Sequence, residues 1–82
     1  MNIYLLKQDL ITGKDTYNSA IVIADTIEEA KSIHPANYTD KNYWCEYTWP
    51  SRDQLDHIKV IQLGIAYAHL KKGVVLSSLN ID

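Results

Sequence analysis

Residues 20 to 29 constrain this chain more than any other stretch. Ala20-Ile21-Val22-Ile23-Ala24 is apolar at every position, so as a strand it carries apolar side chains on both faces. That is the mark of an inner strand covered on at least one side by a helix. Thr26-Ile27-Glu28-Glu29 follows at once with the spacing of a capping box, in which the Thr26 hydroxyl accepts from a first-turn amide and Glu29 reaches back. Both glutamates also complement the positive end of a helix dipole. Ile27, Ala30 and Ile33 recur at spacings of three and Pro35 blocks continuation beyond His34, which predicts a helix of little more than two turns with one narrow apolar stripe.

The other periodic segments read as strands. Ile3, Leu5 and Lys7 alternate with Tyr4, Leu6 and Gln8, predicting a strand over residues 2–8. Thr12-Gly13-Lys14-Asp15 is turn chemistry, since Gly13 accepts positive φ and Asp15 can bond nearby backbone. The second strand is expected over Tyr17–Ala24, a third over Ile58–Leu63 and a fourth over Gly73–Leu79, with Ile65 to Lys72 either a helical turn or a wide connection. From Ala36 to about Asp56 no period holds. Ser51 and Gln54 stand in register for one capped turn there, and Tyr43–Tyr47 for a short strand. The order is β-β-α-loop-β-β, and the simplest α+β architecture that buries these faces is an antiparallel four-stranded sheet with one helix packed on it. We expect residues 1–82 to form a single domain. A chain of 82 residues buries only about 60–65% of its unfolded surface, so its core is modest.

Charge narrows the function classes. Ten acidic residues against eight basic ones give a net charge of −2, and Arg52 is the sole arginine; a polyanion needs several placed cations, so direct nucleic-acid binding is not expected. The middle of the chain is acidic, whereas the C-terminal third carries Lys59, Lys71 and Lys72. Lys71-Lys72 before Gly73 reads either as a small basic patch or as a solvated turn. The single cysteine, Cys45, excludes an intrachain disulfide and fits a reducing compartment. No apolar run approaches the roughly 18–20 residues that cross a bilayer, and the first residues lack a signal-peptide pattern, so a cytoplasmic protein without membrane contact is expected.

Two constellations carry chemistry. A helix running back over the second strand would bring His34 toward Asp15, Tyr17 and Ser19, a set in which imidazole and carboxylate could serve as base and orienter and Ser19 as nucleophile. The plainer reading has His34 meeting the last helical carbonyls and Asp15 capping a turn. His34, His57, His69 and Cys45 lack the tight spacing of a zinc site, and there is no Gly-rich phosphate cradle; neither metal nor cofactor is expected. The second constellation is aromatic. Tyr38, Tyr43, Trp44, Tyr47 and Trp49, most of the aromatic residues of a chain with no Phe, are interleaved with Asp40, Lys41, Asn42 and Glu46. Tyr and Trp are favoured at binding hot spots because they offer large rigid area with a polar handle, and they also stack on bases. Some of these rings must complete the core, Trp44 or Trp49 first.

Tyr4-Leu5-Leu6, Asp15-Thr16-Tyr17 with Ser19-Ala20, Glu29-Ala30, Ile33-His34-Pro35, then Gly64, Ala66, Gly73-Val74, Leu76 and Asn80 resemble a set of small uncharacterised proteins encoded by phages and prophages. The resemblance implies proteins that act by occupying a host protein, as anti-CRISPR and anti-restriction proteins do, or by sequestering a small molecule; it implies no catalytic residue. The leading expectation is therefore an inhibitor or modulator of a host protein in the host cytoplasm. Its contact residues would be Tyr38, Asp40, Tyr43, Trp44, Glu46, Tyr47 and Trp49, with Asp53 and Asp56 adding negative charge. The alternative is a sponge for a nucleotide-like molecule, held by aromatics and by Asp15, Tyr17, His34, Lys71 and Lys72 or helix-end amides. Homodimerisation through an open sheet edge is compatible with either.

Overall fold

The computed structural model describes residues 1–36, 44–67 and 69–80, except for the side chain of Asn80. Strands β1 (Asn2–Lys7) and β2 (Thr16–Ala24) form a hairpin, followed by the helix α1 (Ile27–Lys31), a 3₁₀ helix at Arg52–His57, and strands β3 (Lys59–Ile65) and β4 (Gly73–Asn80). The sheet order is β3-β1-β2-β4 with every neighbouring pair antiparallel. The fold is thus the expected α+β arrangement. The doubly apolar β2 is a central strand, and both edges come from the C-terminal third.

The connection between β1 and β2 is organised by a buried amide. Gln8 Nε2 donates to the carbonyls of Ile11 (2.7 Å) and Tyr17 (2.6 Å), and its Oε1 accepts from Ile11 N (2.8 Å). Gly13 at φ 110° and Asp15 at φ 64° turn the chain through the left-handed region, which glycine adopts freely and a short polar side chain tolerates.

Helix α1 starts as expected and ends early. Thr26 Oγ1 accepts from Glu29 N at 3.0 Å, and Glu29 Oε1 accepts from the backbone N of Asp25, one residue before the cap, at 2.9 Å. The helix does not run on to His34. Ser32 N and Ile33 N reach back to Glu29 O and Ala30 O, the tighter three-residue pattern that closes a helix, and Ser32 Oγ takes Glu29 O as well at 2.6 Å.

One sheet face holds the core. Tyr4, Leu6, Ala20, Val22 and Ala24 lie under Ala30 of α1, Trp49 and Ile58, with Tyr17, Ile33, Trp44, Leu55, Val60 and Val74 around them. The expected strand at Tyr43–Tyr47 does not form over its described part: Trp44 and Cys45 are irregular and 46–48 form a turn. This segment lies across the sheet face instead of joining an edge, because burying Trp49 needs a side chain pointing into that face. The capped turn at Ser51 is present, with Gln54 Oε1 accepting from Ser51 N and Oγ. Between β3 and β4 the chain crosses the end of the sheet, tied by Ala66 N to Met1 O (2.9 Å) and closed by Leu70 N on Tyr67 O.

Candidate functional site

The aromatic segment is anchored from behind and exposed at its tip. Trp49 and Pro50 are fully buried. Trp44 Nε1 donates to Pro50 O at 2.8 Å, and the Arg52 guanidinium lies 5.3 Å from the Trp44 ring centre. Tyr17 N donates to Thr48 O at 2.9 Å, so the segment is also pinned to the start of β2. On the turn between these anchors sit Glu46, exposed, and Tyr47, whose surface is 88% accessible.

His34 is the third anchor. Its Nδ1 accepts from Ala36 N at 3.0 Å, which places the ring proton on Nε2, 3.1 Å from Cys45 O. The imidazole meets Trp44 edge-on at 5.1 Å and Tyr17 edge-on at 6.1 Å. Burial pushes its pKa below the usual imidazole range, opposed by the bond to the Cys45 carbonyl. The fold therefore does bring His34 to Tyr17. It does not make a base of it: both ring nitrogens are committed to backbone groups, and Asp15 is exposed on the hairpin turn.

The sequence-predicted residues thus separate. Trp49 belongs to the core and offers nothing to a partner, and Trp44 is a half-buried support. Glu46 and Tyr47 are presented outward, with Asp53 and Asp56 exposed on the neighbouring 3₁₀ helix. Tyr38, Asp40 and Tyr43 lie outside the described residues. Lys71 is exposed, whereas Lys72 is already neutralised: its Nζ lies 2.6 Å from Asp25 Oδ2 and 3.2 Å from Glu29 Oε2. These bonds, Asp25 first, hold the Lys72 pKa above its ordinary value, and the Lys72 hydrogen bond holds the Asp25 carboxyl below the usual carboxylate range. At the start of α1, Glu29 N is taken by Thr26 Oγ1 and Ala30 N by Thr26 O.

A different basic cluster forms away from the aromatic segment. An open cleft of about 500 Å³ at the far end of the sheet is lined by Lys7, Gln8, Asp9, His57, Lys59 and Ile61. Lys7 and Lys59 are direct cross-strand neighbours, and their pairing across more than fifty residues leaves no local signal in the sequence. Among the described residues no group of three or more His, Cys, Asp or Glu could hold a metal ion, and no helix is long and apolar enough to cross a membrane. Compared with known proteins, the chain matches no family model, no curated protein and no solved structure.

Proposed function

We propose that this protein is a binding module that occupies the surface of a host protein and inhibits or modulates it, with the turn bearing Glu46 and Tyr47 as its contact point. The observation that carries this reading is Tyr47, exposed to 88% on a turn braced by Trp49, Trp44, His34 and Thr48. A ring carried on a braced backbone turn loses only its own two side-chain torsions on docking, so more of its contact energy appears as affinity. Glu46, Asp53 and Asp56 give the surroundings the negative charge suited to a basic target. The resemblance to small phage-encoded proteins supports a host protein as that target. Capture from host lysate on immobilised wild type should return one partner at near-stoichiometric yield, and Tyr47→Ala should lose it while keeping the fold. Equal capture by the variant, or no partner with wild type, would count against the reading.

A second reading, a sponge for a small anionic ligand of the nucleotide class, rests on the cleft flanked by Lys7, Lys59 and His57. A thermal-shift screen against nucleotides tests it, because a ligand at 100 times its dissociation constant adds about 2.7 kcal/mol. No shift with any nucleotide would remove it.

A further inference from the structure

The sheet has a second face. Side chains alternate along each strand, so the neighbours of the core residues Tyr4, Leu6, Ala20, Val22 and Ala24 point away from α1. Strand pairing arranges them in rows. Ile3 and Ile23 are paired, flanked by Gly64 and Gly73; the next row is Ile61, Leu5, Ile21 and Leu76; the last is Lys59, Lys7, Ser19 and Ser78. Two rows are apolar and one is polar. Ile61 (49%) and Leu76 (63%), at the ends of the middle row, are open to solvent, as are Leu63 (52%) and Val75 (60%) at the register shifts of β3 and β4, whereas Ile23 is only 5% accessible. Among the described residues, the helix and the buried tryptophan both lie on the other side.

We propose that a second copy of this chain covers this face, joining two sheets into a face-to-face sandwich. Size supports it. The apolar rows with Leu63 and Val75 expose roughly 500 Å², at the upper end of what monomers leave open. With the polar row the face reaches roughly 700 Å², so two copies bury at most about 1,400 Å², within the range of stable interfaces.

The pattern of the rows selects the second copy over an unrelated partner, because it is self-complementary. A two-fold axis parallel to the strands and midway between β1 and β2 lays β1 over the partner's β2 and β3 over the partner's β4, keeping each row on itself. Leu5 then faces the partner's Ile21 and Ile61 the partner's Leu76, while Ile23, 5% accessible, is already covered within its own chain and adds little. Lys7 meets the partner's Ser19 and Lys59 the partner's Ser78, so no lysine faces a lysine, and each ammonium has a hydroxyl acceptor and a route to water along its stem. An axis across the strands would instead press Lys7 onto the partner's Ile3 and Lys59 onto the partner's Gly64, leaving charges without partners. The favoured arrangement is the aligned packing usual for stacked sheets. It uses the face and not the edges, and it leaves both Tyr47 turns exposed.

Sedimentation and light scattering across a wide concentration range test this. Wild type is expected at twice its 9.4 kDa mass. Ile61→Lys and Leu76→Glu, both at open positions, should each be monomeric with unchanged circular dichroism, and mixing them in equal amounts should restore a dimer, since the new lysine faces the new glutamate. A wild type that stays monomeric throughout would overturn the proposal and leave the face to another partner. Dimers that survive both substitutions would overturn it too, since an edge-paired dimer uses backbone groups that neither change touches. Neither result depends on Tyr47, so this inference and the first reading of function fail separately, whereas the dimer covers Lys7, Lys59 and Ile61 and so competes with the ligand cleft of the second reading.

Discussion

His34 should make this protein lose stability in mild acid. Its Nδ1 accepts from Ala36 N and its Nε2 donates to Cys45 O; protonating Nδ1 sets a donor against the Ala36 donor inside a half-apolar site formed by Trp44 and Tyr17. The folded pKa accordingly lies below the ordinary value, so between that depressed value and about 6.5 the unfolded chain binds the extra proton. Stability then rises with pH: the contribution of His34 is complete above about 6.5 and is lost as pH falls through the folded pKa. One proton limits the slope to about 1.4 kcal/mol per pH unit. Removing the ring altogether should cost about 2–4 kcal/mol, because His34→Ala leaves two partly buried backbone groups without their partner, a large share of the 4–12 kcal/mol expected, at roughly 0.05–0.15 kcal/mol per residue, of a chain this long. Urea unfolding followed by tryptophan fluorescence at pH 8, 7, 6 and 5 measures both effects, with His34→Gln as the variant that cannot titrate. Wild type should show an excess of pH slope over His34→Gln below about pH 6.5. Parallel slopes, or a wild type that gains stability on acidification relative to the variant, would refute the reasoning.

Two further expectations concern stability. Thr26→Ala removes the acceptor for Glu29 N and should cost about 1 kcal/mol in urea unfolding; no change would mean that α1 is held by Ala30 packing alone. Trp49→Ala and Tyr47→Ala should part widely although the residues are two positions apart: the first empties a fully buried site and should cost about 3–5 kcal/mol, while the second should stay within about 0.5 kcal/mol. Similar thermal midpoints for the two variants would contradict the assignment of one ring to the core and the other to the surface.

The strands and the start of the helix were legible because each is written in adjacent residues. Alternation marks β1 and β3, the apolar run marks β2, and Thr26 to Glu29 mark the cap. The early end of α1 was less so, since Pro35 announces only the last position a helix can reach, and the three-residue bonds of Ser32 and Ile33 stop it sooner. In the aromatic segment, composition pointed to recognition, but which ring faces the core depends on how residues 44–58 cross the sheet, and an aperiodic segment carries no such information. The engagement of Lys72 by Asp25 and Glu29, and the pairing of Lys7 with Lys59, are products of topology between distant positions. The open sheet face was partly readable: Ile3 and Leu5, Ile61 and Leu63, and Leu76 supply a second apolar side to the strands, and the sequence offers one short helix to cover two faces.

The order of strands in the sheet also sets a timetable for folding. β1 and β2 leave the ribosome first, and a lone two-stranded hairpin is marginal in water. Its two edges find their partners only when β3 and β4 have been made, more than fifty residues after β1. Until then the hairpin carries unpaired backbone along both sides and the apolar residues 20–24 uncovered, a template onto which a strand from a neighbouring nascent chain can add. Native pairing and misassembly therefore compete during synthesis, and slow elongation on crowded ribosomes, which prolongs the interval before β3 and β4 arrive, is where this protein should aggregate, whatever the stability of its finished fold.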